Sequence, residues 1–166
     1  MEDYTPEQKE RPQGLLVLCI LSWVFIGFSL MTNLLTFFRG PISAEAMDDR
    51  KADMLGLINE AQNSGMGSFA EMFTQIQHMI EVYNANHYSF YGVTLLILGV
   101  GLLGVIWMFL GKKQGFHVYI GYSILSVVQI YLFLSPAEIP SAITIFGVII
   151  STLFIFLYSR NLSWMK

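Results

Sequence analysis

Charge is scarce in this chain. Asp, Glu, Lys and Arg make up 13% of its 166 residues, against 54% hydrophobic ones, and its mean hydropathy is +0.55. Such a composition lies outside the ordinary soluble range. Cysteine is nearly absent: Cys19 stands alone. A lone thiol excludes an intrachain disulfide, a Cys-rich metal site and thiol-redox chemistry that works through cysteine pairs. There is no Ser-His-Asp order, no phosphate-binding glycine loop, no HExxH and no basic patch of the nucleic-acid type. The residues therefore point away from an enzyme and away from a nucleic-acid partner, and they call for no cofactor. No internal repeat or low-complexity tract stands out.

The missing charge is concentrated in four windows, 12–38, 82–111, 114–137 and 139–159, none of which holds Asp, Glu, Lys or Arg. An apolar window of about 18 residues or more reads as a membrane span, because about 20 helical residues cross the hydrocarbon. A soluble helix buries one stripe, whereas these windows are apolar all round. The first run, about 24 residues, is too long for a signal-peptide core and lacks a small-x-small cleavage site, so it is expected to stay as a span. The stretch 90–134 organises the rest. Its two apolar runs are separated only by Gly111-Lys112-Lys113-Gln114-Gly115, which forces them into an antiparallel hairpin. Arg39-Gly40-Pro41 stops the first span, and Pro140 or Ser141 opens the last. Expected boundaries are a tail at 1–13, spans at 14–38, 90–111, 115–135 and 140–159, a loop at 39–89 and a stub at 160–166. The fold expected is an all-α, integral membrane four-helix transmembrane bundle, with an extramembrane amphipathic helical hairpin between the first and second spans.

That hairpin is read from two halves of the loop. Met47, Met54, Leu55, Ile58 and Ala61 recur at helical spacing in the first. In the second, Phe69, Met72, Phe73, Ile76, Met79, Ile80 and Tyr83 recur at steps of three and four. Between them lies the turn Asn63-Ser64-Gly65-Met66-Gly67, followed by a Ser68…Glu71 capping-box pattern. Glu71, Gln75, His78 and Glu81 fall on the opposite, wet face. No breaker separates Tyr83 from Phe90, so this helix can run on into the second span. Five of the nine methionines (47, 54, 66, 72 and 79) lie in the hairpin. Methionine suits surfaces that adapt to a partner, so Met54, Phe69, Met72, Phe73, Ile76 and Met79 form a candidate partner-binding face. The same face could equally pack on itself or lie on the bilayer.

Lys9, Arg11, Lys112, Lys113, Arg160 and Lys166 fall on the side of the chain ends. The loop has Arg39, Arg50 and Lys51, diluted by Glu45, Asp48, Asp49, Asp53, Glu60, Glu71 and Glu81. The positive-inside bias then places both termini in the cytoplasm. Each span carries a seam of small or polar residues: Cys19, Ser22, Ser29 and Asn33; Gly92, Gly99, Gly101 and Gly104; Tyr119, Tyr122, Ser126 and Gln129; Thr144, Gly147, Ser151 and Tyr158. Helix packing accounts for such seams. A polar pocket is the alternative, for which Asn33, Tyr122, Ser126 and Gln129 are the candidate residues. No span contains a charge of the sort pumps and proton relays use, and no histidine lies in a span interior. A soft copper site on His78, His87 and the nearby methionines is conceivable, but the histidines are about half a turn out of phase. His117, beside Lys112 and Lys113, suits headgroups better than a metal.

The run Glu10-Arg11-Pro12-Gln13-Gly14-Leu15-Leu16-Val17-Leu18-Cys19-Ile20-Leu21 resembles the opening of small uncharacterised multi-span bacterial membrane proteins, whose first helix begins Arg-Pro-x-Gly-aliphatic. The resemblance implies a bacterial inner-membrane protein and supplies no active site. The function expected is a non-enzymatic accessory or scaffold subunit that binds a larger membrane or envelope partner, or a second copy of itself, within the lipid bilayer. The alternative is a carrier or channel for a lipid-like or apolar small molecule. A third possibility, enzyme chemistry around His78 and Glu81, requires those side chains to converge in a cleft.

Overall fold

The computed structural model describes residues 11–166. Among them the chain forms α1 (Gln13–Arg39), α2 (Ala44–Asn63), α3 (Gly67–Ala85), α4 (His87–Phe109), α5 (Lys113–Val128) and α6 (Ser141–Ser159), and no strand. A 3-10 turn, Gln129–Leu132, extends α5, and a second, Pro136–Glu138, precedes α6. Four helices, α1, α4, the extended α5 and α6, are long and apolar enough to cross a membrane. The chain is a membrane-embedded, all-helical protein. Most of the expected tail, residues 1–10 with Lys9, lies outside the described residues.

The bundle is built outward from α4. Gly104 and Gly115 let α4 and α5 touch backbone to backbone: a Cβ on Gly115 would lie 2.5 Å from Met108 N and 2.6 Å from Gly104 O. The ring of Tyr122 rests on Gly101 in the same way. Small residues at the contact are how helices associate in lipid, where burying apolar surface gives no drive. Helix α1 packs on the other side of α4 through Leu15, Cys19 and Ile26, which join Val105 and Met108 in one core. Helix α6 is the outlier. Tyr158 is its one buried residue, and Ile145, Phe146, Ile149 and Phe156 stay more than half exposed.

One end of the bundle gathers the start of α1, the α4–α5 turn and the last residues. Gly111 holds φ at 80°, a left-handed conformation that glycine adopts without strain, and Trp164 packs 3.2 Å from where its Cβ would be. The Lys113 N–H donates to Lys166 O (2.8 Å) and the Lys166 N–H to Gly111 O (2.7 Å). The Arg11 guanidinium lies 4.1 Å from the Phe109 ring centre and 5.6 Å from that of Trp164, a cation–π arrangement. The chain therefore enters and leaves the bundle at the same end.

The other end carries the hairpin of α2 and α3. Helix α1 stops at Arg39 because Gly40 turns the chain with φ 81°. The Ser43 hydroxyl then caps α2 by accepting the Ala46 N–H (3.3 Å). Where Ser68 and Glu71 were expected to form the next cap, the structure differs. Helix α2 closes in a Schellman turn, with the Met66 N–H donating to Ala61 O and the Gly65 N–H to Gln62 O. That turn delivers the chain with Met66 as N-cap, so Ser68 already lies inside the first turn and has no free N–H to receive. Nor does α3 run unbroken into the second span. Asn86 interrupts it with φ −106° and ψ 27°, its side-chain amide donating to Val82 O (3.0 Å), the local competition with helical bonding typical of asparagine.

Two features fasten the hairpin. The Ile42 N–H donates to Asn84 Oδ1 (2.6 Å) and Asn84 Nδ2 donates to Ile42 O (3.1 Å), so one amide satisfies both backbone groups of Ile42 in the α1–α2 link. The face of α3 expected to be wet is solvent-exposed at Glu71 and His78, and it also makes contacts across the chain. Gln75 Nε2 donates to Ala137 O (3.0 Å), His78 Nε2 meets Glu138 Oε1 (3.0 Å), and Glu81 pairs with Lys51 (3.4 Å). Sequence periodicity sorts apolar from polar faces but cannot supply a partner about sixty residues away.

Candidate functional site

The structure divides the four candidate seam residues. Asn33 Nδ2 donates to Ser29 O within its own helix (2.7 Å). Gln129 Oε1 meets the Thr94 hydroxyl (3.4 Å). Each amide makes one such bond, and neither residue lines the groove that holds the other two. Tyr122 and Ser126, by contrast, meet on a cavity of about 590 Å³ between α1, α5 and α6. Its walls are Leu21 and Phe25 from α1 and Phe146, Ile150 and Phe154 from α6. The groove opens sideways, since Phe25 and Phe146 are each 67% exposed.

Six hydroxyl-bearing residues are among those that line the groove, and none of its lining residues is charged. Ser22, Tyr119, Tyr122, Ser123, Ser126 and Ser151 all contribute. Ser22 Oγ is engaged by the Tyr158 hydroxyl (2.9 Å), and Ser126 Oγ donates to Ser123 O (2.9 Å). The hydroxyls of Tyr122, Ser123 and Ser151 have no hydrogen-bond partner among the described residues. Tyr122 and Ser123 are nevertheless 8% and 4% exposed as residues. No polar side-chain atom of the described residues is both sealed from solvent and unpaired, so none of these three oxygens is fully enclosed. Ser123 was missed in the sequence. With Tyr119, Tyr122 and Ser126 it completes an i, i+3, i+4, i+7 polar stripe on α5, which was the available signal.

The hairpin residues are brought together differently from the expected partner face. Met54 and Phe73 pack on Ile58, Ala61 and Ala70 between α2 and α3. Met79 packs on Leu134 and Ile139, the segment leading into α6. Met72 and Ile76 are half-buried, Met72 beside Pro136 and Pro140. Of the six, only Phe69 is largely exposed, at 54%. The apolar side chains left uncovered on the hairpin are Leu55, Leu57, Met66 and Phe69. Leu57 lies off the helical stripe that the sequence displays, which is why periodicity passed over it.

His78 and His87 do not approach one another. His87 is 5% exposed and its Nε2 donates to Thr36 O (3.1 Å), while His78 belongs to the Glu138 contact. Glu81 faces Lys51, so His78 and Glu81 do not converge either. His117 Nδ1 lies 3.2 Å from Lys113 O in its own helix. Among the described residues no three His, Cys, Asp or Glu side chains are grouped as metal ligands would be.

Glu138 is the polar anchor of the α5–α6 link. It forms a reciprocal capping box with Ser135, whose hydroxyl and N–H both donate to Oε2 (2.7 Å each). Those two bonds, in that order, and then His78, hold the carboxyl below its ordinary value of 4.5. A depressed carboxyl contributes stability that is present above its unfolded value and lost as pH falls through the folded one. The turn is therefore expected to be fully formed above pH 4.5 and to loosen only at more acidic pH. A ¹³C titration of the Glu138 carboxyl checks this: its midpoint falls below 4.5 in the native protein, and Ser135→Ala returns it upward. A midpoint at 4.5 in both would remove the capping box as the cause.

The chain matches no protein-family model, no curated protein and no solved structure.

Proposed function

We propose that this protein is a non-enzymatic binding protein of the membrane, which takes a neutral, lipid-like molecule into the groove between α1, α5 and α6. One observation carries the reading: Tyr122, Ser123 and Ser151, whose hydroxyls have no partner among the described residues, all line an otherwise apolar cavity of about 590 Å³, within the size range of small-molecule sites. A hydroxyl facing hydrocarbon without a partner is costly. A ligand carbonyl or hydroxyl satisfies it, and the ligand's chain fills the space between Phe25, Phe146 and Phe154. No charged side chain lines the groove, which favours a neutral headgroup over an anionic one. The membrane is read as a bacterial inner membrane, as the Arg-Pro-x-Gly opening implies. Cytoplasmic termini are supported by charge: Arg11, Lys112, Lys113, Arg160 and Lys166 cluster at the end where the chain enters and leaves, against Arg39, Arg50 and Lys51 toward the hairpin end. On this reading the hairpin lies outside the bilayer on the far side.

A second reading, an accessory subunit that docks a larger membrane protein, is favoured by the uncovered Leu55, Leu57, Met66 and Phe69 of the hairpin. Native mass spectrometry of protein purified from its own membranes separates the two. Gly147 lines the groove, and a Cβ there would meet only Val127 Cγ2, at 3.7 Å, so Gly147→Leu grows into open space. We expect a neutral lipid to be retained by the native protein, lost with Gly147→Leu, and held several-fold more weakly by Tyr122→Phe, the effect of one missing hydrogen bond. Lipid retention indifferent to both variants, with a protein partner lost on changing Leu55 and Phe69 to serine, would favour the second reading instead.

A further inference from the structure

A separate cavity of about 320 Å³ lies at the hairpin end, lined by Thr36 and Arg39 from the end of α1, Arg50 from α2, Tyr83 from α3, and His87 and Tyr91 from α4. Two arginines therefore face one space. Neither forms an ion pair or a hydrogen bond with the described residues, although Lys51, next to Arg50, is paired with Glu81 at 3.4 Å. The hairpin end has acids in number, yet no Asp or Glu lines this cavity. A guanidinium is always charged and presents a planar fork of donors that matches an oxyanion. Two unpaired forks on a cavity free of carboxylates favour an anion there.

We propose that this cavity binds a phosphate group, held between the guanidinium groups of Arg39 and Arg50. A phosphate offers several oxygens, enough for both forks at once, where one carboxylate offers a single edge. The walls suit it. Tyr83 stacks on Phe90 with ring centres 3.9 Å apart, and burial pushes its phenol up to about 12, so it stays a neutral donor. His87 spends its Nε2 proton on Thr36 O (3.1 Å) and serves as a fixed wall. Arg39 is the last residue of a membrane-length helix, which sets the cavity at headgroup level, and its volume has room for a phosphate with a small alcohol attached. The phosphate can thus belong to a lipid headgroup or be free in solution. The inference is independent of the neutral-lipid groove, which lies at mid-span and shares no residue with this cavity.

The test uses the full chain in phosphate-free detergent, titrated in separate arms with phosphatidylglycerol and with inorganic phosphate, and read by lipid adducts in native mass spectrometry and by shift in thermal midpoint. R39Q/R50Q is expected to weaken binding at least about tenfold, the scale of one lost charge-assisted bond. R160Q, at the opposite end, leaves it unchanged. Binding of the lipid alone, lost in R39Q/R50Q, identifies a headgroup site; binding of inorganic phosphate, lost in the same variant, identifies a soluble anion. If R39Q/R50Q fails to remain monodisperse, R50Q alone carries the comparison, since Arg50 lies on an exposed helix face. Binding of neither probe by the native protein, or equal binding by native and variant, overturns the proposal.

Discussion

Gly115→Ala is expected to destabilise the bundle by about 1–3 kcal/mol, the range for forcing an extra methyl group into a packed interior. The ordinary expectation runs the other way, since alanine is favoured over glycine in a helix by about 1 kcal/mol. Geometry decides which wins. The new Cβ would lie 2.5 Å from Met108 N, 2.6 Å from Gly104 O and 2.8 Å from Trp107 Cβ. Two of these are backbone atoms, which cannot rotate away as a side chain can. Relief requires α4 and α5 to separate by about an ångström to reach normal contact distance, and the separation propagates to Gly101, where the Tyr122 ring sits on bare backbone. Gly121→Ala is the matched control on the same helix, because a Cβ there meets nothing within 4 Å. Unfolding in mixed micelles should show Gly115→Ala well below the native protein and Gly121→Ala level with it or above. Two variants that unfold together would mean that the α4–α5 contact does not hold the bundle.

The same contact shows what was legible in advance. Gly111-Lys112-Lys113-Gln114-Gly115 forces its flanking runs antiparallel by length alone, and charge-free windows identify spans because a bilayer asks for the same apolar character on every side of a helix. These are local or all-round properties, which one sequence displays directly. The groove is a different kind of object. Tyr122, Ser126, Ser22, Gly147 and Ser151 could each be assigned to a seam, but a seam looks alike whether its helices close on each other or stand apart. The gap exists because α6 buries only Tyr158 and leaves the α1 face at Phe25 uncovered, a fact of tertiary spacing. Gln75 and His78 lie on the wet face as their polarity implies, but their surface bonds to the Pro136–Glu138 turn join residues about sixty positions apart, which helical periodicity cannot supply. Phe73 and Met79 were candidates for an outside partner, but their apolar faces are met inside the chain by Ala70 and Leu134.

Tyr158→Ala is expected to cost about 3–5 kcal/mol, the range for truncating a large buried aromatic, and to release α6 from the rest of the bundle. Tyr158 is fully buried. Its hydroxyl donates toward Leu18 O (3.0 Å) and Ser22 Oγ (2.9 Å) on α1, and its ring meets Tyr119 of α5 edge-on at 4.9 Å. One side chain thus ties α6 to both neighbours at its better-covered end, where Phe154 and Ile155 also pack on the core, while residues 141–150 are mostly exposed. Tyr158→Phe separates the two contributions. It keeps the ring and removes the hydrogen bond, whose loss inside a membrane protein averages about 0.6 kcal/mol and reaches about 1.7. Ser22→Ala removes the same bond from the other side, so a double-mutant cycle between Tyr158→Phe and Ser22→Ala should give a coupling of that size. The groove makes the distinction functional. Its walls run from Leu21 to Ile26 on α1 and from Phe146 to Phe154 on α6, about one turn from Tyr158 along α6, so the tyrosine fixes their separation at one end. Tyr158→Phe should therefore retain ligand while Tyr158→Ala loses it along with the attachment of α6. Equal losses of stability in the two variants would show that the hydroxyl, not the packed ring, holds the helix, and the groove would then depend on a single hydrogen bond.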